Sequence, residues 1–218
     1  MLKWQVCENR LGDYLASEST KTSPKTIYAT AQKIADCYHL AVKDAIPKRN
    51  PGFTVVQATF IGLNKLPVQD GFHTVLKRLS KSKSESETKA IDWSPAAAGI
   101  LKYWTGKQLL PSAPPPVTPW LDVPTEFGTA PPPPAAPIPI HTPPLIPPSM
   151  VLVPGTLKPL DQQLRDAFNK KKPRLVAKFA VIAFQNHAKL ISGMMTWLNT
   201  APPVAPPVPT PFPWTGIQ

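Results

Sequence analysis

Apolar side chains recur at helical spacing in several stretches. The clearest begins at Ser23-Pro24, where serine suits an N-cap and proline suits the first helical position. Ile27, Ala31, Ile34, Tyr38, Val42 and Ala45 then fall on one stripe, and Pro47 closes the segment before an Asn50-Pro51-Gly52 turn. Residues 53–63 are β-branched and apolar, which suits a buried strand or an irregular core segment. A second helix is predicted over 68–81, with Phe72, Val75, Leu76 and Leu79 inward. The polar run at 80–88 reads as a loop, and Ser94-Pro95 opens a third helix that reaches Trp104. Farther on, a helix over 159–170 carries Leu160, Leu164, Ala167 and Phe168. Pro173 opens the longest predicted helix, which runs to about Leu198 with Leu175, Phe179, Ile182, Leu190, Met194 and Trp197 as its buried stripe.

Proline separates these stretches. Of 31 prolines, 26 fall at or after Pro111, and 17 lie within residues 111–154. Proline lacks an N–H and fixes φ, so it is excluded from helix interiors and central strands. The pattern predicts a mainly α protein of two small helical modules with long proline-rich extended arms. The divisions are a helical module at 1–110, an extended arm at 111–156, a helical hairpin at 157–199 and an anchoring tail at 200–218. In polyproline II form the first arm would reach roughly 140 Å. Unlike a polar spacer, it carries Val117, Trp120, Leu121, Phe127, Ile138, Ile140 and Leu145. Apolar chain that cannot fold on itself wants a surface to lie on.

The halves resemble each other. Each ends with a helix, an aromatic residue and proline-rich chain that reaches a tryptophan, Trp120 in one and Trp214 in the other. Trp-Thr-Gly occurs twice, at 104–106 and 214–216. This predicts a degenerate internal duplication, although shared composition gives the same likeness. Tyr103, Trp104, Trp120, Phe127, Trp197, Phe212 and Trp214 are the candidate partner-binding residues. Aromatic anchors of this kind fill pockets on a neighbour, or else pack back onto their own module.

The net charge of +11 is uneven. Residues 111–156 hold no Lys or Arg, while the flanking modules are basic. Lys77 and Arg78 form one cluster, and Lys170, Lys171, Lys172 and Arg174 form a denser one. These suit nucleic acid, an acidic protein surface, or simple solvation. Cys7 and Cys37 make no disulfide framework and suit free thiols in a reducing compartment. No stretch is long and apolar enough for a signal peptide or a membrane span, which predicts cytosolic synthesis without membrane insertion.

Catalytic patterns are missing. His39, His73, His141 and His187 fall in no metal-ligating spacing, and Cys37-Tyr38-His39 points in different directions on a helix. Gly62, Gly71, Gly99 and Gly106 are isolated, so there is no phosphate loop and no nucleophile elbow. Neither an enzyme nor a cofactor is expected.

The Tyr103-Trp104-Thr105-Gly106 segment before a proline run, with Pro213-Trp214-Thr215-Gly216 at the close, resembles minor structural proteins in virions of large DNA viruses and tailed phages. The resemblance covers short motifs only. It implies a minor capsid or cement protein, present in multiple copies and bridging capsid subunits, made in host cytoplasm and resident in the virion. Two other readings fit the residues. One is an accessory subunit of a cytoplasmic or organellar ribonucleoprotein that touches RNA through its basic helices. The other is an adaptor whose proline runs recruit SH3-like or WW-like domains, although such ligands usually carry nearby basic residues that are missing here.

Overall fold

A computed structural model describes residues 2–18, 24–46, 59–61, 63–105, 120–122, 138–139, 158–199 and 208–217. The protein is mainly α. The arm expected at 111–156 lies outside the described residues apart from two short strands, and so does most of the expected apolar segment at 53–63.

Helix α1 (Trp4–Glu18) is followed by α2 (Pro24–Val42), α3 (Leu66–Leu79), the short α4 (Glu85–Lys89) and α5 (Ser94–Thr105). After the proline-rich region come α6 (Leu160–Phe168) and α7 (Pro173–Ala188). Two packed groups result: α2 and α5 against α3, and α1 and α6 against α7. Helix α1 also lies on α2 and so joins the two groups. One continuous core runs through both.

The α1–α2 pair is antiparallel. The Lys3 N–H donates to the Ala41 carbonyl at 3.0 Å, Lys3 pairs with Asp44 at 2.7 Å, and toward the other end Lys33 sits over the Tyr14 ring. Helix α1 was not anticipated. Trp4, Cys7, Leu11 and Leu15 do form a helical stripe, but no serine–proline start marks it. A second departure is α4, within the expected loop. Ser84 Oγ accepts from the Glu87 N–H at 3.1 Å, and Glu87 Oε2 accepts from the Lys83 N–H at 2.6 Å. Reciprocal bonding of this kind satisfies the donors that a helix start leaves open, which is enough for one turn.

Helices α3 and α5 cross at their glycines. A Cβ on Gly71 would run into the Pro95 carbonyl and lie 3.1 Å from the Ala96 Cα. A Cβ on Gly99 would run into the Pro67 carbonyl and lie 3.3 Å from the Val68 Cα. The two backbones come together only because neither crossing point carries a side chain.

An aromatic cluster fills the space between the groups. Tyr38 meets Tyr103 edge-on at 5.2 Å and Phe184 at 5.1 Å. Phe72 contacts Trp93, Phe168 and Phe184, and Trp93 lies 4.7 Å from Phe168. Edge-to-face pairs place the positive ring edge on the negative face and add to the area buried. Phe168 and Phe184 come from α6 and α7, so the helices after the proline-rich region complete the core of those before it.

The longest predicted helix is shorter than expected. Helix α7 ends at Ala188, and residues toward Leu198 instead form strand β4 (Ser192–Asn199). Before it in the chain lie β1 (Thr59–Ile61), β2 (Trp120–Asp122) and β3 (Ile138–Pro139), a small antiparallel sheet in that order. Strand β5 (Val208–Thr215) pairs antiparallel with β4, from Ser192 opposite Thr215 to Asn199 opposite Val208. Its prolines stand at 209, 211 and 213, every second position. Alternate N–H groups of a strand point to the same edge, so these prolines can leave one edge intact for pairing while stripping donors from the other. The Gly216 N–H, in phase with the pairing positions, donates to the Ile191 carbonyl at 2.6 Å. Gly216 itself turns at φ +80°, and Ile217 is buried in the core. Residues 208–217 of the expected anchoring tail are therefore bonded to their own chain.

Candidate interaction surface

The expected aromatic anchors separate into three kinds. Tyr103 and Trp104 are wholly buried, which corrects their reading as partner-binding residues. They stand at the end of α5, on the face turned to α2. There Trp104 Nε1 donates to Tyr38 Oη at 2.7 Å, and Tyr103 Oη hydrogen-bonds His39 Nδ1 at 2.9 Å. Phe60 of β1 caps Trp104 edge-on at 5.2 Å. Burial pushes both tyrosine hydroxyls above the usual phenol range, so they act as neutral hydrogen-bonding groups. Trp120, Trp197, Phe212 and Trp214 are strand residues: Trp120 is opposite Ile61 and Pro139, Trp197 opposite Thr210, Phe212 opposite Met195, and Trp214 opposite Gly193. Phe127 lies outside the described residues.

The Cys37-Tyr38-His39 run confirms in detail that helical neighbours diverge. Cys37 faces Cys7 on α1, Tyr38 faces Trp104, and His39 faces Tyr103. Among the described residues, no three His, Cys, Asp or Glu side chains gather as a metal site. His187 on α7 is buried, and its Nδ1 has no hydrogen-bond partner among the described residues. Burial alone lowers its pKa from 6.5 to about 4, so the imidazole is neutral near pH 7.

The basic candidates Lys77, Arg78, Lys170, Lys171, Lys172 and Arg174 are all exposed. Arg78 pairs with Asp92 at 3.7 Å, and Arg174 reaches across to Asp13 of α1 at 3.2 Å. Exposed pairs of this kind contribute little to stability. Lys170 lies 4.7 Å over the ring of Phe179. Lys171 and Lys172 make no ion pair with any described residue.

The most informative surface is the one expected to be core. The predicted buried stripe of α7 has its phase wrong: Leu175, Phe179, Ile182 and Leu190 are exposed at 36–40%. The face that is buried carries Val176, Ala177, Ala180, Val181, Ala183 and Phe184. Small residues win the interior because α1 comes close. Gly12 of α1 leaves room at the contact, where an added Cβ would lie 3.6 Å from the Ala177 Cβ. Larger side chains on that face would force the helices apart, so the larger ones point outward. Positions 175, 179 and 182 fall on one face of the helix, and exposed Lys170, Lys171, Lys172, Lys178 and Lys189 lie in and around it.

No protein-family model, curated protein or solved structure matches the chain. What the geometry of the described residues defines is a mainly helical protein with an aromatic core and, on α7, an apolar, lysine-rimmed face turned to solvent.

Proposed function

We propose that this protein is a non-enzymatic structural component of a large assembly, a minor capsid or cement protein that bridges capsid subunits. The observation carrying the reading is the outward face of α7. Leu175, Phe179 and Ile182 form an exposed apolar stripe within a field of lysines, while the small residues of the same helix fill the core. An apolar patch with a charged rim has the anatomy of a docking surface, and the lysines select an acidic neighbour. The proline-rich, apolar region between α5 and α6 supports the same reading, because such chain gains most by lying against another surface. Multiple copies in one particle would place each helical core beside a subunit and run its arms between subunits.

Phe179→Glu tests this. The variant should keep its helical circular dichroism and lose most of its incorporation into particles. Undiminished incorporation would count against the docking role.

The exposed cluster Lys170, Lys171 and Lys172 favours a second reading, an accessory subunit of a ribonucleoprotein. Phosphate contacts release counterions, so RNA affinity that falls steeply with salt would support that reading instead.

A further inference from the structure

Cys7 on α1 and Cys37 on α2 are buried and face each other across the antiparallel helix pair. The register that bonds the Lys3 N–H to the Ala41 carbonyl also brings Cys7 level with Cys37, four residues along from each, so the two thiols pair across the helices. The two thiols differ in surroundings. Both are buried, Cys7 at 0% and Cys37 at 2%, and Cys37 also contributes to the wall of an open cleft of about 260 Å³. Arg10, Lys33 and Lys43 line that cleft with Asp36 and His39.

We propose that Cys37 and Cys7 form a reversible oxidation site, in which a small hydroperoxide entering the cleft oxidises Cys37 and Cys7 then closes a disulfide that staples α1 to α2.

The asymmetry supplies the order of events. The hydrogen bond from Cys7 favours the Cys37 thiolate, with Lys33 and Arg10 adding to it against burial and Asp36. The same hydrogen bond raises Cys7, so the shared proton resides there. The Cys37 thiolate attacks one peroxide oxygen and the O–O bond breaks. That oxygen stays on Cys37 as a sulfenic acid, and the other leaves as water or an alcohol after taking a proton. Cys7 sulfur then attacks Cys37 sulfur. The S–O bond breaks, and the departing hydroxide takes the Cys7 proton as water. Two thiols lose two electrons in total, and the peroxide is reduced by the same number. An external dithiol reverses the step by exchange.

The test is treatment of the reduced, folded protein with hydrogen peroxide, followed by peptide mapping without reduction. A Cys7–Cys37 cross-linked peptide, lower in mass by two hydrogens and abolished by dithiothreitol, is expected. In Cys7→Ala the Cys37 sulfenic acid should persist and be trapped by dimedone, whereas in Cys37→Ala Cys7 should remain unlabelled. Lys33→Met should slow oxidation several-fold while leaving the circular dichroism unchanged. The proposal is overturned if both thiols stay titratable in the folded protein, if labelling is equal in the two alanine variants, or if oxidation yields only links between chains.

Discussion

An alanine at position 71 would place a methyl group against the Pro95 carbonyl, closer than two unbonded atoms come in proteins, with the Ala96 Cα only 3.1 Å away. Both obstacles are backbone, so no side chain can swing aside. Helix α3 or α5 must move. Two terms oppose one another. Helix propensity favours alanine over glycine by about 1 kcal/mol in a helix interior. Overpacking a tight contact costs about 1–3 kcal/mol and sometimes more. Here the overlap also opens an interface that buries Phe72, Ala96 and Ile100, so the upper part of that range applies and the net loss should be about 2 kcal/mol. For a protein of this size that lowers Tm by roughly 4–8 °C. Gly99→Ala should behave alike, because its Cβ meets the Pro67 carbonyl. Combining the two should cost less than their sum, since the first already separates the helices. Gly12→Ala is the internal control. Its Cβ would sit 3.6 Å from Ala177 and Arg174 atoms, an ordinary contact, so it should gain about 0.5–1 kcal/mol. Urea unfolding followed by tryptophan fluorescence measures all four variants. If Gly71→Ala is as stable as the wild type or more so, the reasoning about this crossing is wrong.

Other consequences follow from buried polar groups. Tyr38→Phe removes the acceptor for Trp104 Nε1 inside the core and should cost about 1–3 kcal/mol in the same urea assay. No measurable loss would mean that the bond contributes nothing. His187 gives a pH signature. Its folded pKa is about 4 against 6.5 when exposed, so between those values the unfolded chain binds more protons than the folded one. Stability should therefore be full above pH 6.5, decline as pH falls toward 4 by about 3 kcal/mol, and level off below. His187→Leu should flatten that window relative to wild type; an unchanged slope would exclude His187 as its source.

Much of the helical framework could be read before any coordinates. Ser-Pro at the start of α5, Pro24 opening α2 and Pro173 opening α7 are chemical start signals, and the stripes of α2, α3 and α6 match their buried faces. Helix α1 went unread because its stripe has no cap to announce it. The buried face of α7 is hidden from the sequence for a different reason. Periodicity gives two candidate faces there, one of large apolar residues and one of alanines with Phe184, and hydrophobicity alone favours the larger. The choice depends on how α1 packs against α7, a contact that brings Gly12 to Ala177 across 165 positions of chain. In the sequence Tyr103 and Trp104 read as anchors because tyrosine and tryptophan, apolar with one polar tip, are enriched at interfaces. Their hydrogen bonds to Tyr38 and His39 span more than 60 residues and leave no local trace. The end of α7 was missed since Met194 and Trp197 continue a helical period, while the strand depends on pairing with β5.

The central claim is that the outward face of α7 is covered by an acidic neighbour in the working assembly. Hydroxyl-radical footprinting of free and particle-bound protein addresses it directly, residue by residue. Leu175, Phe179 and Ile182 should be labelled in the free chain and strongly protected in the particle, with Tyr28, exposed on α2, as the reference. Equal labelling of the three in both states, in a preparation where the chain is bound, would contradict the account.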